Sequence, residues 1–282
     1  MNYLKLSILV SFLFLVGCSD SQEEPEVMTE EEPEVMTEEE TEVVTEEEQG
    51  PPFSEYMTCT PGSDFSDETA TMMVDEWNDL AFDDALLYAA GHAPLETASL
   101  GGEGKVYWQL FWDSKEAADA AWASGPSEEF AAWAEKHESV LTCDGENRRG
   151  YDAYFPYSDK DNWEPVTDWV TYAHYCKFND DDGPEKLREG VKAFNTYLDN
   201  QADDVAPFRY GVYMHNGDNP EPYASYDFFW MNYYADHEGA KTSYERFANE
   251  GADVQAMFDA SATCEGPNPS NSYQFYPDPD DA

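Results

Sequence analysis

Val106-Tyr-Trp-Gln-Leu-Phe-Trp112 places four aromatic residues in seven positions, and Tyr226-Asp-Phe-Phe-Trp-Met-Asn-Tyr-Tyr234 repeats the pattern later in the chain. Aromatic and branched side chains favour the pleated surface of a strand. Apolar residues at both odd and even positions describe a strand covered on both faces, since successive side chains point to opposite sides. Outward from Trp108 and Trp230, further landmarks recur in order. Cys59 matches Cys176, Trp77-Asn78 matches Phe194-Asn195, His92 matches His215, and Cys143-Asp-Gly-Glu-Asn matches Cys264-Glu-Gly-Pro-Asn. The separation drifts only between 117 and 123 residues, so the chain beyond its N-terminal segment is one unit written twice, over 53–159 and 166–278.

Each unit reads as β-α-β-β-α-β. The first strand is expected at 56–60 and 172–178, followed by a helix that Ser66 caps in the first unit and Pro184 opens in the second. Ala70, Met73, Val74, Trp77 and Leu80 keep the spacing of one helical face, as do Leu187, Val191, Phe194 and Leu198. A second strand ends at His92 or His215, and the aromatic strand follows. The second helix breaks near Gly125-Pro126 or Gly251, and a last strand is expected at 151–157 and 272–277. This order resembles the ferredoxin-like fold and, given the duplication, the dimeric α/β-barrel superfamily. The resemblance implies an α+β protein in which two such sheets, here from one chain, face each other with helices outside and enclose a cavity. Members include cofactor-independent monooxygenases, haem enzymes, isomerases and ligand-binding proteins, so the fold alone does not name a reaction.

Four cysteines lie in the repeats, one equivalent pair in each. In a ferredoxin-like sheet the last strand lies antiparallel beside the first, which pairs Cys59 with Cys143 and Cys176 with Cys264. A thiolate metal site is the alternative, and the missing Cys-x-x-Cys spacing argues against it.

The N-terminal segment is of another kind. Residues 1–17 carry one charge, Lys5, and an apolar run from Leu6 to Val16 that is short for a bilayer span of about 20 residues but suits a secretory signal. Leu15-Val16-Gly17-Cys18 resembles the lipobox of bacterial lipoproteins. The resemblance implies cleavage before Cys18 and lipid attachment to its sulfur. Ser19 after it implies an outer-membrane address, facing the periplasm or the cell surface. Residues 18–52 then form an acidic linker built on three copies of an eight-residue unit, with fifteen acids and no bases between Ser19 and Gly50. Like-charge repulsion and low apolar content leave it an unfolded spacer with a stretched limit of roughly 100 Å.

The whole chain has a formal net charge of −47. Such a balance excludes an ordinary nucleic-acid binder, which needs a Lys/Arg footprint, and electrostatic docking on anionic lipid. Contact with the membrane is expected through the lipid anchor alone, and a barrel pair within one chain implies a monomer. No dinucleotide, phosphate-loop, zincin or nucleophile-elbow signature occurs, so no cofactor and no metal is expected. The acidic loop Asn179-Asp-Asp-Asp-Gly183 lacks the alternating ligand spacing of a calcium loop. The candidate ligand-binding residues are those that recur. His92 and His215 are expected at related mouths of the barrel, with Asn78 and Asn195 on the helices and Trp108 and Trp230 on the central strands. The favoured reading is a non-enzymatic envelope lipoprotein that binds a small apolar or aromatic ligand or a partner. The alternative is a cofactor-independent, monooxygenase-like enzyme in a Trp/His/Asn-lined cavity.

Overall fold

Alternation along eight strands sets the layers. The computed structural model describes residues 50–96, 98, 100, 104–158, 167–201 and 209–277. The signal segment, Cys18 and nearly all of the acidic linker lie outside the described residues. The first repeat runs β1 (Phe53–Pro61), α1 (Asp67–Asn78), β2 (Leu86–Pro94), β3 (Val106–Trp112), α2 (Lys115–Ser124), α3 (Glu128–Lys136) and β4 (Leu141–Ser158). The second runs β5 (Asp168–Phe178), α4 (Gly183–Asp199), β6 (Arg209–His215), β7 (Phe228–Tyr234), α5 (His237–Glu250), α6 (Ala252–Ser261) and β8 (Ala262–Tyr276). Within each repeat the strand order is ferredoxin-like, with the first strand between the third and the fourth. The β2–β8 and β4–β6 pairings join the two sheets into one closed barrel.

The helices begin where the local chemistry places them. Ser66 forms a capping box with Thr69, and Ser114, Ser127 and Asp236 each accept a backbone N–H of the first turn. Gly125, at φ 73°, separates α2 from α3. Along β1 and β5 one set of alternate residues enters the barrel and the other meets the helices. Tyr56, Tyr175, Tyr213 and Phe229 belong to the interior cluster. Trp77, Trp108 and Trp112 pack between sheet and helices in the first repeat, as do Phe194, Tyr210 and Trp230 in the second.

Both disulfides form as paired above. Cys59 stands opposite Cys143, and Cys176 opposite Cys264, in neighbouring antiparallel strands. The last strands differ from expectation. They start well before 151 and 272, so Cys143 and Cys264 sit inside them rather than in the loops before them. Asp144 still pairs with Thr58, and residues 145–148 bulge out before Arg149 resumes the ladder opposite Tyr56, with Asp144 accepting the Asn147 backbone N–H at 3.1 Å.

A second difference concerns the histidines. His92 faces Tyr107 across β2 and β3, and Tyr213 faces Phe229 across β6 and β7. Since Tyr107 and Phe229 are equivalent neighbours of Trp108 and Trp230, the counterpart of His92 is Tyr213. His215 lies two residues beyond.

Candidate functional site

The barrel interior is filled rather than hollow. Tyr213 stacks on Phe229 at 4.4 Å, Tyr151 meets Phe229 edge-on at 4.7 Å, and Tyr213 and Tyr233 share a hydroxyl contact. Among the described residues a chamber of about 30 Å³ lies beside Phe229. The ligand cavity expected inside the barrel is therefore not where the room is. A cleft of about 670 Å³ lies behind the sheet of the second repeat, between β5 and β7 and helices α4, α5 and α6.

The cleft is mostly apolar, with one polar chain in its wall. Trp230 is clamped between Tyr210, stacked at 4.3 Å, and Phe258 at 5.2 Å. Its indole N–H donates to Asn232 Oδ1 at 2.9 Å, which fixes the amide, because an indole nitrogen is only a donor. Asn232 Nδ2 then donates to the Tyr244 hydroxyl oxygen at 3.2 Å. The Tyr244 hydroxyl in turn lies 2.8 Å from His174 Nε2. Burial pushes the His174 pKa down to about 4, so the imidazole is neutral at pH 7, and its Nδ1–H tautomer accepts the Tyr244 proton at Nε2. Burial raises the Tyr244 phenol well above its ordinary value, so it stays protonated.

The equivalent wall of the first repeat is built differently. Phe53 faces Trp112 as Val170 faces Tyr234, and Cys59 faces Val106 as Cys176 faces Phe228. By that register Met57 holds the place of His174, and Leu110 that of Asn232. Trp122 stands on α2 where Tyr244 stands on α5. In the first repeat these groups pack together with Trp133, whose ring lies 6.2 Å from Trp108. Buried Glu55 ties that layer down, accepting from Trp112 Nε1 at 3.0 Å, Trp122 Nε1 at 2.7 Å and Arg148 Nε at 2.7 Å. One repeat is a packed core. Its copy carries a hollow with polar groups at the same positions.

Of the six candidate ligand-binding residues, Trp230 alone lines the cleft. Asn195 supports it from behind, accepting the Tyr210 hydroxyl and donating to the Pro156 carbonyl at 3.0 Å. Trp108 meets Trp77 and Phe275 in the first repeat's core. Asn78 lies at the end of α1, away from the cleft. His92 is inside the barrel, bonded to Ser272 and Gln109, and His215 is at the end of β6, beside Tyr151. His174, Asn232 and Tyr244 were missed, because recurrence in both repeats was the criterion. The signal that reveals them is the reverse, an apolar residue in one copy and a polar one in the other. Asp180 of the acidic loop pairs with Lys186 at 2.7 Å, and among the described residues no three His, Cys, Asp or Glu side chains cluster as metal ligands.

No family model and no curated protein matches the chain. Solved structures do resemble it. A proposed monooxygenase from Lactobacillus acidophilus NCFM is 10% identical, with 80% of this chain and 94% of that one covered and a TM-score of 0.46. An anthrone oxidase-like protein is 12% identical, with 79% and 90% covered and a TM-score of 0.47. A variant chlorite dismutase from Candidatus Nitrospira defluvii is 12% identical, with 80% and 92% covered and a TM-score of 0.47. The architecture is the dimeric α/β barrel, closed here within one chain. The sequence favoured a non-enzymatic binding protein, whereas these structures are described as enzymes. At such identities the likeness concerns the fold, and the chemistry has to come from the residues. Haem, carried by some members of the superfamily, would need an axial nitrogen in the cleft. His174 is the histidine that lines it, and its Nε2 is engaged by Tyr244, so the residues present do not fit that group.

Proposed function

We propose that the chain is an envelope-anchored, cofactor-independent oxygenase acting on a planar apolar substrate in the second repeat's cleft. The observation that carries this is the directed chain Trp230–Asn232–Tyr244–His174 in the wall of a hollow whose first-repeat counterpart is packed. A cleft near 670 Å³ falls in the ordinary range for small-molecule sites and accommodates a fused aromatic system. An activated C–H or phenolic O–H placed against Tyr244 gives its proton to the hydroxyl oxygen as Tyr244 passes its own to His174. The substrate anion beside the new imidazolium offsets the cost of charging a buried histidine. The Asn232 amide holds the Tyr244 oxygen in line. An electron-rich carbanion reduces dioxygen directly. For a benzylic methylene the balance is one methylene and one dioxygen giving one carbonyl group and one water, with both methylene hydrogens leaving in the water. By the resemblance of residues 15–18, Cys18 carries the lipid, with the acidic linker as spacer from the outer membrane.

Oxygen uptake with a tricyclic benzylic ketone such as anthrone tests the reading. His174→Met and Asn232→Leu restore the first repeat's residues and are expected to lower kcat by roughly 10²–10⁴-fold while the protein stays folded. No uptake by the wild-type protein with tricyclic ketones or phenols would refute the oxygenase. For the anchor, Cys18→Ser is expected to move the protein from the membrane fraction to the soluble one, and retention on the membrane would exclude lipidation as the tether.

A further inference from the structure

Arg149 of β4 is 2% exposed. Its guanidinium lies over the rings of Tyr223 at 4.0 Å, Tyr107 at 4.6 Å and Tyr56 at 5.6 Å. Nε and Nη2 have no hydrogen-bond partner, and among the described residues no carboxylate pairs with it. Arginine does not give up its proton in proteins. A buried, unneutralised cation is costly, and ring contacts recover only part of that cost.

The guanidinium borders the 30 Å³ chamber in the barrel, together with Tyr107, Tyr175, His92, Asn268 and Phe229. Among the described residues no carboxylate lines this chamber. His92 adds no charge, because burial first, then the nearby Arg149, brings its pKa down to about 4. Arg149 faces Tyr56 across β1 and β4, and Asn268 faces Ala173 across β5 and β8. The chamber thus sits between corresponding places of the two halves, with a cation on one side and an amide on the other. The described lining carries a charge of +1, and the volume holds about two water molecules.

We propose that this chamber binds one monovalent anion of halide size, held by Arg149 Nε and Nη2 with tyrosine hydroxyls completing the shell. Sulfate, phosphate and carboxylate metabolites are too large, and a single cation balances a single negative charge. The site is separate from the cleft and does not rest on the oxygenase reading. The chain's charge of −47 repels anions at long range, so inert salt should strengthen halide binding rather than compete with it.

The test uses the full chain in sodium chloride, bromide or gluconate at equal ionic strength. Protein-dependent broadening of the chloride-35 NMR line, removed by bromide, is expected. The melting temperature should stand roughly 5–10 °C higher in a halide at a hundredfold excess over Kd than in gluconate. Arg149→Gln should abolish both effects, and Arg149→Lys, which keeps the charge, should retain the melting response in part. If Arg149→Gln does not fold, the wild-type comparison decides alone. Equal line widths and equal melting in chloride and gluconate would overturn the site and leave Arg149 a packing residue.

Discussion

His92 shows how far a residue's surroundings change its meaning. Read alone, a histidine at a strand end suggests a mouth of a cavity. In the fold it is 3% exposed, its Nδ1 meets Ser272 Oγ at 2.9 Å, and its Nε2 meets Gln109 Oε1 at 3.0 Å. Gln109 donates its amide to Ser54, so its oxygen faces the imidazole and the Nε2 proton is the donor. Such a histidine stabilises the fold in its neutral form. Its folded pKa is about 4 against an ordinary value near 6.5, so the unfolded chain takes up the proton first as pH falls. Stability from His92 is full above pH 6.5 and is lost as pH falls toward 4, by at most about 3 kcal/mol. His92→Gln is expected to destabilise at pH 7.5 and to approach the wild-type protein at pH 4.5. Comparing urea midpoints of the two proteins removes the shared effect of discharging surface carboxylates. A difference that stays constant across that range would mean that the His92 pKa is not depressed.

Among the elements, what was legible followed from the alternation of side chains. The aromatic strand at 106–112 is β3 to the residue, the Ser66 cap falls where the pattern puts it, and the cysteine pairs fall where the ferredoxin-like resemblance puts them. The faces of β3 and β7 were not legible, because both faces are apolar and period two cannot tell barrel from helix layer. Trp108 and Trp230 turn toward the helices, and Tyr107 and Phe229 enter the barrel. The length of β4 and β8 was hidden by Gly, Asp and Asn residues that form bulges inside the strands rather than turns before them. The cleft was hidden for another reason. It arises where α6 leans on α4, with Phe258 against Gly190, so the space under α5 stays open. In the first repeat Trp133 of α3 donates its N–H to the Met73 carbonyl of α1 and lies against Trp108. Nothing local to either sequence states that difference in helix placement. The exchanges of Met57, Leu110 and Trp122 for His174, Asn232 and Tyr244 mark it.

At the scale of the molecule, duplication closed by β2–β8 and β4–β6 makes each repeat a part of the other's core. The interior cluster draws Tyr56, Tyr107 and Tyr151 from the first repeat and Trp169, Tyr213 and Phe229 from the second. Ala90 to Pro94 pair with Gln274 to Ser270, and Tyr151 to Tyr154 pair with His215 to Val212, so two ladders would lose their partners if one repeat opened. Exposed strand edges and an aromatic face are both costly in water. The repeats are therefore expected to unfold as a unit, although each has its own disulfide and its own helix layer. Calorimetry on the oxidised protein should give one transition whose calorimetric and van't Hoff enthalpies agree. Cutting the chain between Ser158 and Thr167 should preserve that single transition and make its midpoint rise with protein concentration, since the halves then associate as separate molecules. Two resolved transitions in the uncut chain would show that each sheet is stable without the other, and the shared barrel would then be a docking of finished domains rather than a common core.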